Sequence, residues 1–189
     1  NINVLAMRSI NGKNGERRER KESAMPPVVS IVGKSESGKT TLIEKLIPVL
    51  KNRGLRIGVV KHAHHGFDLE PKGKDSDRHQ AAGAEVVMVA SPDRIAMVQK
   101  MENPRLYDLI PFFNDVDLVI SEGFKADSAP KMEIFRPERH AQPACLGDET
   151  LVAMISDAAI DPGVPLFSTT DIEGISNFII TRFLPEYRV

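Results

Sequence analysis

Residues 33–40 read Gly33-Lys34-Ser35-Glu36-Ser37-Gly38-Lys39-Thr40, a glycine-bracketed run that ends in a lysine and a hydroxyl residue. These residue types at this spacing can hold a polyphosphate. Gly33 and Gly38 let the backbone turn, so that successive N–H groups, those of Ser35, Glu36 and Ser37 included, converge on an anion as a nest. A helix starting at Lys39 would aim the positive end of its dipole at the same point. That places the Lys39 ammonium for the β- and γ-phosphates and the Thr40 hydroxyl for a magnesium ion. Thr41 is placed for the α-phosphate. With glycine at about 7% of residues, chance produces the pattern in fewer than about one chain in a hundred of this length.

A magnesium site needs a second oxygen donor, and the apolar run 116–120 leads to one at Glu122, ahead of Gly123. A carboxylate at the C-terminal tip of a buried strand is where such folds hold the metal or its bound water. Asp117 opens the same run, about 13–17 Å away along a strand. The bland role for Glu122 is to cap the turn at Gly123. Asp68, and less so Glu70, could also approach the metal from the polar loop that follows the run 56–60. His62, His64 and His65 cluster in that loop, with His79 further on. Imidazole suits nickel and zinc, but the spacing is not that of a zinc finger, so phosphate or substrate contact is the competing role. Asp157 follows the apolar run 151–155 and could accept hydrogen bonds from guanine. The Asn-Lys-x-Asp signature of regulatory GTPases is missing, and the residues alone leave GTP and ATP open.

The elements that must position these groups alternate between short apolar runs and helical stretches, the pattern of an α/β domain with a mostly parallel sheet flanked by helices. Strands are expected at 28–32, 56–60, 116–120, 131–135 and 151–155. Helices are expected at 39–52, with Gly54 as its C-terminal cap, at 75–82 behind an acidic cap, at 107–113 and, capped by Asp171, at 171–183. Pro48 should kink or shorten the first helix. Two strands at 85–90 and 94–99, joined by Ser91-Pro92-Asp93, form an antiparallel extension.

Composition sets the outer limits. A chain of 189 residues suits one compact domain, here 26–189, and a net charge of −1 gives no general reason to bind nucleic acid or an anionic membrane. No apolar run nears the roughly 20 residues of a membrane span. The lone Cys145 fits a reducing cytoplasm. Residues 1–25 are basic and polar without a following apolar stretch, which reads as a disordered extension and not a secretory signal, with the natural start near Met25.

Over residues 27–183 the chain resembles the molybdopterin-guanine dinucleotide biosynthesis protein B family, P-loop GTP-binding proteins of molybdenum cofactor maturation. The resemblance rests on GKSESGKTTLIEKLIPVLKNRG, VKHAHHGFDLEPKGKDSDRHQAAGAE, DLVISEGFK, AMISD and DIEGISNFI. It implies a P-loop NTPase-type fold and a cytoplasmic homodimer that binds GTP with Mg2+. It also implies an adapter that assists the molybdopterin guanylyltransferase, contacts molybdopterin, and hydrolyses GTP only weakly. Lys61 and His62 would then line the nucleotide cleft, Asp68 the metal, and His64, His65, Lys74, Asp75, Ser76 and Arg78 the substrate- or partner-facing side. Glu70 stands where the family has aspartate, and Pro71-Lys72 reverses the common order, which unsettles the role of position 70. Lys34 matches the extra lysine by which related dimeric ATPases reach across their dimer. Two other classes stay open: a metallochaperone-type GTPase using His62, His64 and His65, and a small-molecule kinase.

Overall fold

A computed structural model describes residues 25–63, 66 and 73–187. Its centre is a six-stranded, all-parallel sheet in the order β2-β5-β1-β6-β7-β8. The strands are β1 (Val28–Val32), β2 (Ile57–Lys61), β5 (Leu118–Glu122), β6 (Lys131–Ile134), β7 (Leu151–Ile155) and β8 (Leu166–Phe167). Between β2 and β5 the chain makes helix α2 (Asp75–Ala81), the antiparallel hairpin β3 (Val86–Ala90) and β4 (Ile95–Gln99), and the short helix α3 (Leu106–Leu109). The long helices are α1 (Lys39–Asn52) and α4 (Ile172–Phe183).

Strand β1 is buried along its whole length because both of its faces are covered, and its one polar side chain, Ser30, bonds Ser121 Oγ at 2.6 Å. Alternation then splits its side chains between two layers. Val29 and Ile31 join Ile120, Ile134 and Ile155 beneath α1 and α4, whose Leu42, Leu46, Leu50, Ile175 and Ile179 fill the same core. On the opposite face Val28 packs with Leu106, Ile110, Val119 and Phe124, while Val32 packs with Phe135, Cys145 and Met154. Leu46 and Leu50 are fully buried, each removal from water being worth about 1.5–3 kcal/mol. These two layers clamp the start of α1 to the end of β1, which fixes the intervening loop.

Several expectations shift by a residue or two. β5 runs to Glu122 and not to Ile120, so the carboxylate is the last residue of the strand itself. β2 is displaced by one residue to Ile57–Lys61. Pro48 does not shorten α1, which continues to Asn52. Pro48 and Glu44 are exposed, so the Glu44 carbonyl that loses its partner faces water. Gly54 closes the helix as expected, at φ 82° with its N–H on the Lys51 carbonyl. Asp75 is not the cap of α2: Lys74 holds that position without a side-chain bond, and Asp77 accepts from the Gly73 N–H at 2.8 Å. The stretch 107–113 is α3 followed by a 3-10 turn, Ile110–Phe112. β8, only two residues long, carries no period that a sequence could announce. The basic run 8–21 lies outside the described residues.

Candidate functional site

Three parallel strands end together, and each delivers one part of a site. β1 opens into the phosphate loop, β5 ends at Glu122, and β2 ends at Lys61, which is in register with Glu122. Such a crevice at the carboxyl ends of the strands is where open α/β sheets bind ligands. The loop adopts a conformation that only certain residues tolerate: Gly33 has φ 146°, Glu36 φ 58° and Gly38 φ 96°. A Cβ on Gly33 would stand 2.5 Å from the Ile134 carbonyl and 2.7 Å from Ser37 Oγ, so the first glycine is required. α1 begins with no side-chain cap and no acidic residue in its first turn, which leaves its N–H groups and positive end to an anion. Ser37 Oγ is fully buried and without a partner among the described residues. An orphaned donor under a glycine-framed loop fits a bound oxyanion.

The charges agree. Lys39 Nζ donates to the carbonyls of Lys34 at 2.7 Å and Gly33 at 3.1 Å. Burial holds the Lys39 ammonium below its ordinary 10.5, with Glu122 opposing that shift and Lys61 and Lys125 adding to it. The Thr40 hydroxyl donates to Glu122 Oε1 at 2.8 Å, and Lys61 Nζ lies 3.3 Å from the same oxygen. Thr40 and Glu122 are hard oxygen donors standing side by side, a set that suits Mg2+ shared with phosphate oxygens. The loop after β5 is held close: the Gly123 N–H reaches the Ile31 carbonyl at 3.0 Å, and a Cβ there would meet His62 at 3.1 Å. His62 stacks on Phe124 at 4.6 Å, and its backbone N–H donates to the Glu122 carbonyl at 2.9 Å.

The structure thus brings Gly33, Ser35, Glu36, Ser37, Gly38, Lys39, Thr40, Lys61, His62 and Glu122 to one place. Thr41 sits exposed on the first turn of α1. Asp157 follows β7, where its Oδ1 accepts from Ser168 Oγ at 2.6 Å and Thr169 N–H at 3.1 Å; Thr169 Oγ1 donates to Oδ2. Ser168 first, then Thr169, hold this carboxyl below the usual carboxylate range, with a smaller contribution from Arg136. Lys74 caps α2, and Asp75 in its first turn pairs with Arg78 in its last at 3.4 Å; Ser76 is half-buried beside them. His64, His65, Asp68 and Glu70 lie outside the described residues. Among the described residues no three metal-ligating side chains gather into a cluster, and no helix is long and apolar enough to cross a membrane.

Sequence reasoning missed a second group. Arg136 Nε donates to the Ser37 carbonyl at 3.1 Å, Arg139 meets Glu36 at 3.0 Å, and His140 Nε2 meets the Ser35 carbonyl at 2.8 Å. Lys125 adds a cation near Lys39. The signal available was positional: Arg136 follows the end of β6 by two residues, on the edge that carries the site.

Residues 28–157 match the family model described as Molybdopterin guanine dinucleotide synthesis protein B. The molybdopterin-guanine dinucleotide biosynthesis adapter protein of Escherichia coli (strain K12) is 36% identical over 163 residues, 82% of this chain and 93% of that protein. The adapter protein of the same name from Haemophilus influenzae is 36% identical over 156 residues, 81% and 87% of the two chains. A crystal structure of molybdopterin-guanine biosynthesis protein B superposes with a TM-score of 0.65 at 31% identity, covering 82% of this chain and 98% of that one. The structure of Bacillus subtilis MobB gives 0.61 at 29%, covering 83% and 98%.

Proposed function

The chain belongs to the molybdopterin guanine dinucleotide synthesis protein B family, and from that premise we propose that it is a GTP-binding adapter of molybdopterin-guanine dinucleotide biosynthesis. It holds Mg-GTP in the crevice between β1, β2 and β5 and assists the guanylyltransferase that joins GMP to molybdopterin. The observation that carries this reading is the Thr40–Glu122 bond of 2.8 Å at the mouth of a glycine-framed, cation-lined loop. Thr40 and Glu122 would hold Mg2+, which supplies charge neutralisation at the terminal phosphates. The loop amides, Lys39 and Lys61 bind and orient the phosphate chain, and Asp157 with Ser168 and Thr169 lies at the end of β7, where a base can be read. The adapter names of the relatives support an assisting role in this biosynthesis. The lone Cys145 is buried, which pushes its thiol up, and this suits work in a reducing cytoplasm. An apolar hairpin described below supports a homodimer.

The test is calorimetric titration with GTP, ATP, inorganic triphosphate and molybdopterin, with and without Mg2+ and the guanylyltransferase. GTP is expected to bind in a Mg2+-dependent manner, with turnover below about 1 s⁻¹ in the absence of the partner. Lys39→Ala should abolish binding without lowering the unfolding temperature, because its ammonium meets loop carbonyls and not the core. Glu122→Gln should blunt the Mg2+ dependence more than the affinity. Normal GTP binding by Lys39→Ala, or no binding by the unaltered chain, would remove the nucleotide reading.

A further inference from the structure

Three consecutive residues of the phosphate loop are gripped from outside the cradle by one short segment. After β6 the chain turns at 136–140, with the Arg139 and His140 N–H groups both on the Arg136 carbonyl. From that turn Arg136 donates to the Ser37 carbonyl, Arg139 pairs with Glu36, and His140 bonds the Ser35 carbonyl. Because a carbonyl only accepts, the His140 Nε2 must carry the proton of that bond.

The position of these groups decides what they can do. The described peptides of the loop are trans, so each C=O points opposite to the N–H of the same peptide unit. The Ser37 carbonyl shares a peptide with the Gly38 N–H, and the Ser35 carbonyl shares one with the Glu36 N–H. In a nest the N–H groups face the anion and the carbonyls face away. Arg136 and His140 therefore stand behind the cradle and do not reach into it as a catalytic arginine would. Two consequences follow. The bonds fix the Ser35–Glu36 peptide and the Ser37–Gly38 peptide one residue beyond, and with the Arg139 pair they bracket Glu36, a non-glycine residue held at φ 58°, a conformation that persists only when its surroundings enforce it. A cation on the Ser37 carbonyl also polarises that peptide and strengthens its N–H as a donor.

We propose that the 136–140 turn is a clamp that sets the phosphate loop in its anion-receiving form, with Arg136 as the positioning residue acting through the Ser37–Gly38 peptide. This rests on the nucleotide reading above and adds residues to it. The clamp acts on the phosphates alone, whatever base they carry.

The test compares Mg-GTP with inorganic triphosphate on the full chain. Arg136→Ala should weaken both ligands by the same factor, roughly 5–30-fold, the effect of losing one charge-assisted bond. Arg136→Lys, which keeps a cationic donor, should recover part of the loss. Arg94→Ala, which removes an equal charge at the hairpin tip, should leave both affinities within about twofold, since a distant surface charge is screened. Should Arg136→Ala fail to fold, the double change Arg139→Ala with His140→Ala removes an exposed and a half-buried side chain outside the core and is expected to weaken both ligands at least about threefold. Wild-type affinity in the folded variants, or a loss confined to GTP, overturns the clamp while wild-type binding leaves the nucleotide reading standing. If the unaltered chain binds neither ligand, the nucleotide reading falls and the clamp goes with it.

Discussion

At the scale of single residues, the phosphate loop was legible because its chemistry is local: glycines at fixed offsets, then a lysine and a threonine, need no partner to be recognised. Glu122 was nearly as legible, since an apolar run pointed to it, and the Thr40 bond places it where that run implied. Arg136 and His140 were not, because 99 and 105 residues separate them from the loop atoms they hold. Only strand order brings β6 beside β1. The electrostatics of Lys39 yield a prediction about protons. Burial first, then Lys61 and Lys125, lower its affinity for a proton in the free protein, with Glu122 opposing. A triphosphate beside the ammonium would lift that affinity again. Between the lowered value and the bound value, binding must take up a proton; well below both, the ammonium is already charged and nothing is taken up. Titration in two buffers of different ionisation enthalpy should therefore show net proton uptake at alkaline pH, on the lower side of the ordinary lysine value of 10.5. The same pair of buffers should agree at neutral pH once the ligand's own protons are subtracted. Equal heats in the alkaline window would mean that Lys39 does not meet the phosphates.

At the scale of elements, period was a good guide and punctuation a poorer one. β1, β7, α1 and α4 carry apolar residues at the spacing of their own geometry, and their bounds were readable to within a residue. Pro48 shows why punctuation misled. A proline in a helix interior costs about 3 kcal/mol relative to alanine through a lost bond and a ring clash. That penalty is a property of the residue, whereas helix ends are decided by the sum over the element. Leu42, Ile43, Leu46 and Leu50 are all buried against the sheet, and together they outweigh one exposed break. Water satisfies part of what the ring removes, since Glu44 is exposed. The proline also restricts the unfolded chain, which offsets about 0.4–1 kcal/mol. Pro48→Ala should therefore stabilise the fold by about 1–2 kcal/mol, raising the unfolding temperature by about 2–8 °C for a chain of this size. Scanning calorimetry of the two chains measures it directly. An unchanged or lower midpoint would show that the ring packs favourably where it sits. The charged pair on β6 was hidden for a different reason. Lys131 and Glu133 are buried although sequence alone gives them to solvent. Lys131 meets Asp148 at 3.1 Å, and Glu133 accepts the N–H groups of Ala144 and Cys145. Both partners come from the 143–150 loop, so these bonds anchor the chain that leaves the clamp.

At the scale of the whole molecule, one element is not self-sufficient. An isolated two-stranded hairpin is marginal in water and needs an apolar face covered by something else. The register of β3 on β4 puts Val86, Met88 and Ala90 with Ile95, Met97 and Gln99 on one face, and Val87, Val89, Ala96 and Val98 on the other. Gln99, at the open end of β4, is the one polar side chain among them. A hairpin with one covered and one wet side would alternate, as most antiparallel ribbons do. Within the chain α2 packs on β3, and that helix has one side to give. The face of Val86, Met88 and Ile95 stays the more open: these side chains are 45%, 44% and 63% exposed, whereas on the other face Val89 is 45% exposed and Val87 and Val98 are half-buried. Exposed apolar groups gathered on one ribbon mark a contact surface. A second copy of the same hairpin is self-complementary about a two-fold axis, which is the commonest way such a surface closes. The homodimer proposed above should therefore form through this face, and Met88→Lys combined with Ile95→Lys should break it by placing charges where two apolar faces meet. Sedimentation equilibrium at roughly 10 μM should show the unaltered chain as a dimer and the double variant as a monomer, with its folded spectrum intact. A monomeric unaltered chain at that concentration would sink the hairpin as the dimer surface. So would a variant that stays dimeric, because the two lysines cannot be buried against their own copies without unpaired charge.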